Sequence, residues 1–253
     1  MGDRKGDLAP MSHHSISACR DNYEEIKTKI LNCGLDEKAV GRSSADLSQI
    51  EDKGTIYLKK CACYPTGLAL GCPLPQRGVE EMLWETAIAV RSHIQKIIGK
   101  GRDKGGLAFV PKSGYHTTIV NRTHYENSDC IEYLSPVEFQ TAERVLLPYQ
   151  RGPIIIDYNG MILAPTGTLL VPGYPKGECL FHVRQCLEDQ VEKFKEKAPQ
   201  TAHIKLGHLI NLLDDRQLST LLDFIYHLGE SLNFSIAFSE VFTPLGNIPL
   251  DNA

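Results

Sequence analysis

Tyr115-His116-Thr117-Thr118-Ile119-Val120 and Ala202-His203-Ile204-Lys205-Leu206 are the two stretches that decide how this chain is read. In each, a histidine and a second polar residue stand two apart in a segment that reads as a β-strand. Side chains two apart on a strand point to the same face. Each segment therefore offers one surface an imidazole together with a hydroxyl or an ammonium group. In the second stretch Ile204 and Leu206 alternate with His203 and Lys205, which assigns the apolar pair to the core and the polar pair to the open side. The first alternates less cleanly, because Val120 shares the face of His116 and Thr118. Alternation thus supports an accessible His203 better than an accessible His116.

Outward from these strands the chain has a rhythm. Residues 55–60 alternate as a strand, and residues 63–75 are rich in turn formers. Residues 79–98 form a helix with Met82, Leu83, Ala87, Val90, Ile94, Ile97 and Ile98 on one stripe and Gly99 as its stop. A basic, glycine-rich loop spans residues 100–106, a short strand 107–110 and the first histidine strand 115–121. A helix follows over 135–147, with Ser135 as N-cap, Pro136 in the first turn and Glu138 closing a capping box. Strands at 153–158 and 161–164 flank an Asn159-Gly160 turn. The order then recurs: a strand at 168–172, a helix at 178–195, the second histidine strand within 202–212, a helix at 214–232 and a closing strand at 234–242.

Both halves therefore run β, α, histidine strand, α, β, as in a duplicated lobe. The expected architecture is α+β, with two pseudo-symmetric lobes whose antiparallel sheets form a central cleft and whose helices lie on the outer faces. The lobes would span roughly 54–165 and 166–253, with strand exchange between them left open. Residues 1–53 are set apart as a polar tail, a short helix over 19–32 that Gly34 ends, and a polar connector over 38–53.

With 253 residues, 42% of them hydrophobic, the chain can bury a core of ordinary size. Its formal net charge of −4 argues against broad binding of duplex DNA, which needs a basic face. A small basic pocket for one nucleotide or a short single strand stays open. None of the eight cysteines is arranged as C-x-x-C. The chain opens on charged residues with no apolar signal segment, and no apolar run is long enough to span a bilayer. The cysteines are accordingly read as reduced thiols of a cytoplasmic protein. No membrane association is expected, and protein partners are unknown.

Imidazole titrates near ~6.5, so one histidine can accept a proton while another donates one. A hydroxyl or ammonium beside each can hold a phosphate oxygen. Two such units on opposite walls suit metal-independent, in-line hydrolysis of a phosphodiester, with no cofactor. Other groups read as less specific. Tyr57, Tyr115 and Tyr174 are candidate stacking surfaces for a base, although aromatic residues near strands more often pack. The pair Cys61 and Cys63 and the tail pair His13-His14 are weak metal or redox candidates. His208, on the face of Ile204 and Leu206, reads as structural, and His93, His182 and His227 as surface or packing residues.

Tyr115-His-Thr-Thr-Ile-Val and His203-Ile-Lys-Leu resemble the two signature strands of the two-histidine (2H) phosphoesterase superfamily, with its RNA-ligase-like and cyclic-phosphodiesterase members. Its hallmark is a pair of His-x-Thr/Ser motifs in a bilobal α+β fold. The run Phe109-Val-Pro-Lys-Ser-Gly-Tyr-His-Thr-Thr resembles a poorly characterised branch in which Pro and Ser precede a Tyr-His-x-Thr strand. The resemblance covers Gly54 to about Leu245. Carried over by residue, His116, Thr118 and His203 match the motif, and Lys205 stands where a second Thr or Ser belongs. The resemblance implies a phosphodiesterase acting on a small nucleotide or RNA end, with a 2′,3′-cyclic phosphate or a 2′-5′ linkage as substrate class. Like-charge repulsion from Lys205 would favour His203 as neutral base and His116 as acid. The replacement also leaves a second reading open: a nucleotide- or RNA-binding module of the same fold with impaired catalysis.

Overall fold

The computed structural model describes residues 15–46, 48–50, 55–58, 68–71, 77–99, 106–120, 135–146, 154–194, 199–238, 240–243 and 246–249. Most of the expected polar tail, His13-His14, Cys61 and Cys63, and the basic loop at 100–105 lie outside them.

In chain order the elements are α1 (Ile16–Cys33), α2 (Glu37–Asp46), β1 (Ser48–Ile50), β2 (Ile56–Leu58), β3 (Leu68–Gly71), α3 (Arg77–Ile98), β4 (Leu107–Phe109), β5 (His116–Val120), α4 (Pro136–Leu146), β6 (Ile154–Asn159), β7 (Ile162–Leu163), β8 (Thr168–Pro175), α5 (Cys179–Gln190), β9 (Ala202–Leu209), α6 (Asp215–Gly229), β10 (Asn233–Phe238), β11 (Glu240–Thr243) and β12 (Gly246–Pro249). One sheet runs β1-β2-β4-β9-β8-β6-β10, with β7 also on β8, and a second runs β12-β11-β3-β5. Among the described residues every pairing is antiparallel except β2 with β4. The fold is thus a mixed helix-and-sheet architecture with mostly antiparallel strands, as the sequence predicts.

The long helices form where periodicity places them. Helix α3 buries Leu83, Ala87, Val90 and Ile94. Helix α6 buries Leu218, Leu221, Leu222 and Ile225, and starts at a capping box between Asp214 and Gln217. The two helices meet where His93 stacks on Phe224, ring centroids 3.9 Å apart. Helix α4 starts as expected: the Ser135 hydroxyl accepts from the Glu138 amide, and the Glu138 carboxylate accepts from the Ser135 amide.

Four local expectations are corrected. The segment read as a polar connector over 38–53 holds α2 and the short strand β1, which extends the first sheet beyond β2. The turn-rich stretch 63–75 contains β3, whose Leu68, Ala69 and Leu70 are all fully buried, so no alternation marks it as a strand. The segments at 153–158 and 161–164 are not a hairpin: β6 and β7 each pair with β8 rather than with one another. The closing strand is divided between the sheets, β10 pairing with β6 and β11 with β3.

From Gly54 the first half runs β2-β3-α3-β4-β5-α4-β6-β7 and the second β8-α5-β9-α6-β10-β11-β12, and the sheets do not divide where the chain halves. Strands β2 and β4 from the first half join β9 and β8 from the second, while β3, paired with β5 on one side, pairs with the C-terminal β11 on the other. The two histidine strands therefore belong to different sheets, β5 at an edge of one and β9 within the other.

Residues before Gly54 also reach the sheet. Helix α1 is capped by Ser15, whose hydroxyl accepts from the Ala18 amide. Its Tyr23 is fully buried. That phenol accepts from the Gly173 amide and donates to the Ala202 carbonyl, bridging β8 and β9 at their shared end.

Candidate active site

Strand β4 pairs with the far end of β9, from Leu209 to Gly207. Past that pairing the Val110 amide still reaches the Leu206 carbonyl. The chain then turns through a short 3-10 helix at Lys112–Gly114 and enters β5, which joins the other sheet. This turn brings His116 beside the start of β9, where β4 no longer covers the strand.

The contact between the two histidine strands is polar and specific. The Thr117 hydroxyl donates to the His203 carbonyl at 3.2 Å. With its single proton so used, Thr117 accepts from the Tyr158 hydroxyl, 2.6 Å away. Thr117 is fully buried, whereas His116 and Thr118 are half-buried, and so are His203 and Lys205. Alternation therefore holds for both strands across these residues, and His116 is as accessible a position as His203.

Each imidazole is fixed at its Nδ1. His116 Nδ1 lies 2.7 Å from the Gly114 carbonyl. A carbonyl only accepts, so Nδ1 carries the proton and the neutral ring keeps Nε2 as its basic nitrogen. His203 Nδ1 lies 3.0 Å from the Thr201 hydroxyl. Burial lowers the proton affinity of His116, and Lys205 lowers it further, against the raising effect of the Gly114 hydrogen bond. His203 is pushed down to about 3, by burial first and then by repulsion from His116, Arg184 and Lys205. The expected effect of Lys205 on His203 is thus present, but it is the smallest of these causes.

The missed residue is Arg184 on α5. Its side chain is fully buried and donates to the backbone carbonyls of Ile119, Thr118 and Thr201. A single arginine inside an amphipathic helix carries no local signal of such a role. The only hint is its place: Arg184 falls on the apolar face with Leu180, Val183 and Leu187.

The three tyrosines are placed differently from one another. Tyr115 is only 3% exposed and belongs to the core, so neither face of its ring is open. Tyr57 stacks on Trp84, centroids 6.0 Å apart. Tyr174 meets Tyr23 edge-on and lines an open groove of about 760 Å³ with Arg20, Asp157, Asn159 and Lys176. None of His116, Thr118, His203 and Lys205 lines that groove.

His208 is structural, as the alternation predicts: 5% exposed, with Nδ1 3.1 Å from the Thr168 hydroxyl. Burial, and secondly Lys205, push it down to about 3. The unfolded imidazole titrates near ~6.5, so between about 6.5 and 3 the unfolded chain binds the extra proton. Its contribution to stability is complete above ~6.5 and drains as pH falls, at up to ~1.4 kcal/mol per pH unit. Guanidinium unfolding at pH 7 and pH 5 is expected to show lower stability at pH 5, with the gap about 1–2 kcal/mol smaller in His208→Gln. An equal gap in both proteins would mean that the folded state accommodates the charged ring.

Among the described residues no three His, Cys, Asp or Glu side chains come together as a metal site, and no helix is long and apolar enough to cross a membrane.

No protein-family model matches the chain, and no curated protein matches it. Among solved structures it is similar to Usb1 of Kluyveromyces marxianus, at 11% identity and a TM-score of 0.40, over 72% of this chain and 95% of that one. It is likewise similar to the same protein with uridine monophosphate, at 11% identity and a TM-score of 0.41, over 72% and 97%.

Proposed function

We propose that the protein is a metal-independent phosphodiesterase of the two-histidine type, acting on a small nucleotide or an RNA end, with a 2′,3′-cyclic phosphate or a 2′-5′ linkage as the substrate class. The observation that carries this reading is the junction of β5 and β9. Two half-buried imidazoles stand on strands bonded to one another, each held through Nδ1, with one lysine acting on both.

In this reading His203, the more strongly held in its neutral form, takes a proton from the attacking water. The water oxygen forms the new bond to phosphorus. His116, protonated at Nε2, gives its proton to the sugar oxygen as the P–O bond breaks. The Thr118 hydroxyl and the Lys205 ammonium hold the non-bridging oxygens. The summed positive charge of Lys205 and Arg184, both felt at His203, suits a phosphate.

Incubating the protein with EDTA and a panel of 2′,3′-cyclic nucleotides and 2′-5′ and 3′-5′ oligoribonucleotides is expected to give turnover on at least one member. Tight binding without turnover would favour the impaired binding module that the Lys205 replacement leaves open. Turnover that EDTA abolishes would overturn the metal-independent mechanism.

A further inference from the structure

Helix α5 follows directly on β8 and buries Leu180, Phe181, Val183 and Leu187 along one face. Arg184 shares that face at 0% exposure. Arginine is almost never fully buried unless it is paired, yet no carboxylate forms an ion pair with it among the described residues. Its partners are backbone carbonyls. Nε donates to Ile119 at 3.0 Å, and Nη2 donates to Thr118 at 2.7 Å and to Thr201 at 3.0 Å. Nη1 has no hydrogen-bond partner among the described residues.

The three carbonyls are not arbitrary. Thr118 is the polar companion of His116, and Thr201 is the residue whose hydroxyl meets Nδ1 of His203. One planar fork of donors therefore ties the first histidine strand to the residue that leads into the second. Lysine has no equivalent geometry, since its ammonium is a point charge on a flexible stem.

We propose that Arg184 is the positioning residue of the site, fixing the two histidine strands relative to one another through the carbonyls of Thr118, Ile119 and Thr201. This rests on the phosphodiesterase reading above. A second consequence follows from charge. Arg184 is lowered only to about 10, so it stays cationic at neutral pH. The charged or titratable groups acting on His203 are Arg184 from α5, His116 from β5 and Lys205 from its own strand. Arg184 is held in place by three hydrogen bonds to backbone carbonyls. Its charge favours the neutral form of His203.

The two roles separate in two variants, Arg184→Lys and Arg184→Gln. Arg184→Lys keeps the charge and loses the fork, so kcat is expected to fall ~100-fold with little change in KM, as for a small misplacement of reacting groups. The NMR titration of His203 should stay as in the wild type. Arg184→Gln loses the charge as well, and the His203 titration is expected to move to higher pH. Unchanged kcat in Arg184→Lys, or an unchanged His203 titration in Arg184→Gln, would overturn the assignment. The titration needs no turnover, so a wild-type protein inactive on the whole panel would refute the phosphodiesterase reading alone. The charge role of Arg184 would still be decided by the spectra.

Discussion

His203→Ala is expected to lower kcat on the best panel substrate by ~10³-fold or more while leaving the fold intact. General acid–base catalysis by one positioned side chain contributes ~10²–10⁴-fold, and alanine removes both the proton acceptor and the ring that fixes it. The backbone contact survives the change, because the Thr117 hydroxyl binds the His203 carbonyl rather than its ring. The β5–β9 junction should therefore persist. Stability should not fall at acid pH and is expected to rise slightly there, since a buried ring that resists protonation is gone. His116→Ala is expected to cost a similar factor. The double variant should cost much less than the product of the two, because acid and base act in one step. Single-turnover rates and thermal melts measured on the same preparations check all of this. A His203→Ala protein that turns over within tenfold of the wild type would remove His203 from the chemistry.

Gly173→Ala is expected to produce the largest loss of stability of any single methyl addition in the sheet. A Cβ there would sit 2.3 Å from the Ala202 carbonyl oxygen, 2.7 Å from the Tyr158 ring and 2.8 Å from Ile156. The nearest atom is backbone on the neighbouring strand, so no side-chain rotation relieves the clash. Strands β8 and β9 would have to separate at the pairing of Gly173 with Ala202. That movement would also disturb the Tyr23 hydroxyl that bridges them and the Tyr158 hydroxyl that bonds Thr117. Overpacking of this kind costs about 3 kcal/mol or more, which for a chain of this size is a drop of roughly 6–12 °C in Tm. Gly41→Ala in α2, where nothing lies within 4 Å of the added methyl, is the control and should be neutral or up to ~1 kcal/mol stabilising. Calorimetric melts of the two variants decide the matter, and equal Tm values would mean that β8 and β9 are not held this closely. Because His203 is the residue after Ala202, residual activity of Gly173→Ala below its melting point is expected to fall as well.

The candidate site was half legible in the sequence. His116, Thr118, His203 and Lys205 are visible because a period of two is a local property, and four or five residues suffice to display it. Thr117, Thr201, Gly114 and Arg184 were not. Their part lies in hydrogen bonds, most of them accepted by backbone carbonyls, and a carbonyl has no letter in the sequence. Strand β3 was hidden for a related reason: it is buried on both faces, so the alternation that reveals half-exposed strands is missing, and its flanks are turn formers.

By itself, then, the sequence determined which segments become strands and helices wherever one face is wet and the other dry. It also determined which polar groups those strands present. Tertiary structure alone decided that β5 leaves its neighbour β4 for the other sheet. It alone decided that strands from both chain halves share each sheet, and that one buried guanidinium spans both histidine strands. The bonds of that guanidinium alone pair groups 17 to 66 residues apart, well beyond the reach of any local period. They are settled by which arrangement satisfies the buried backbone donors and acceptors.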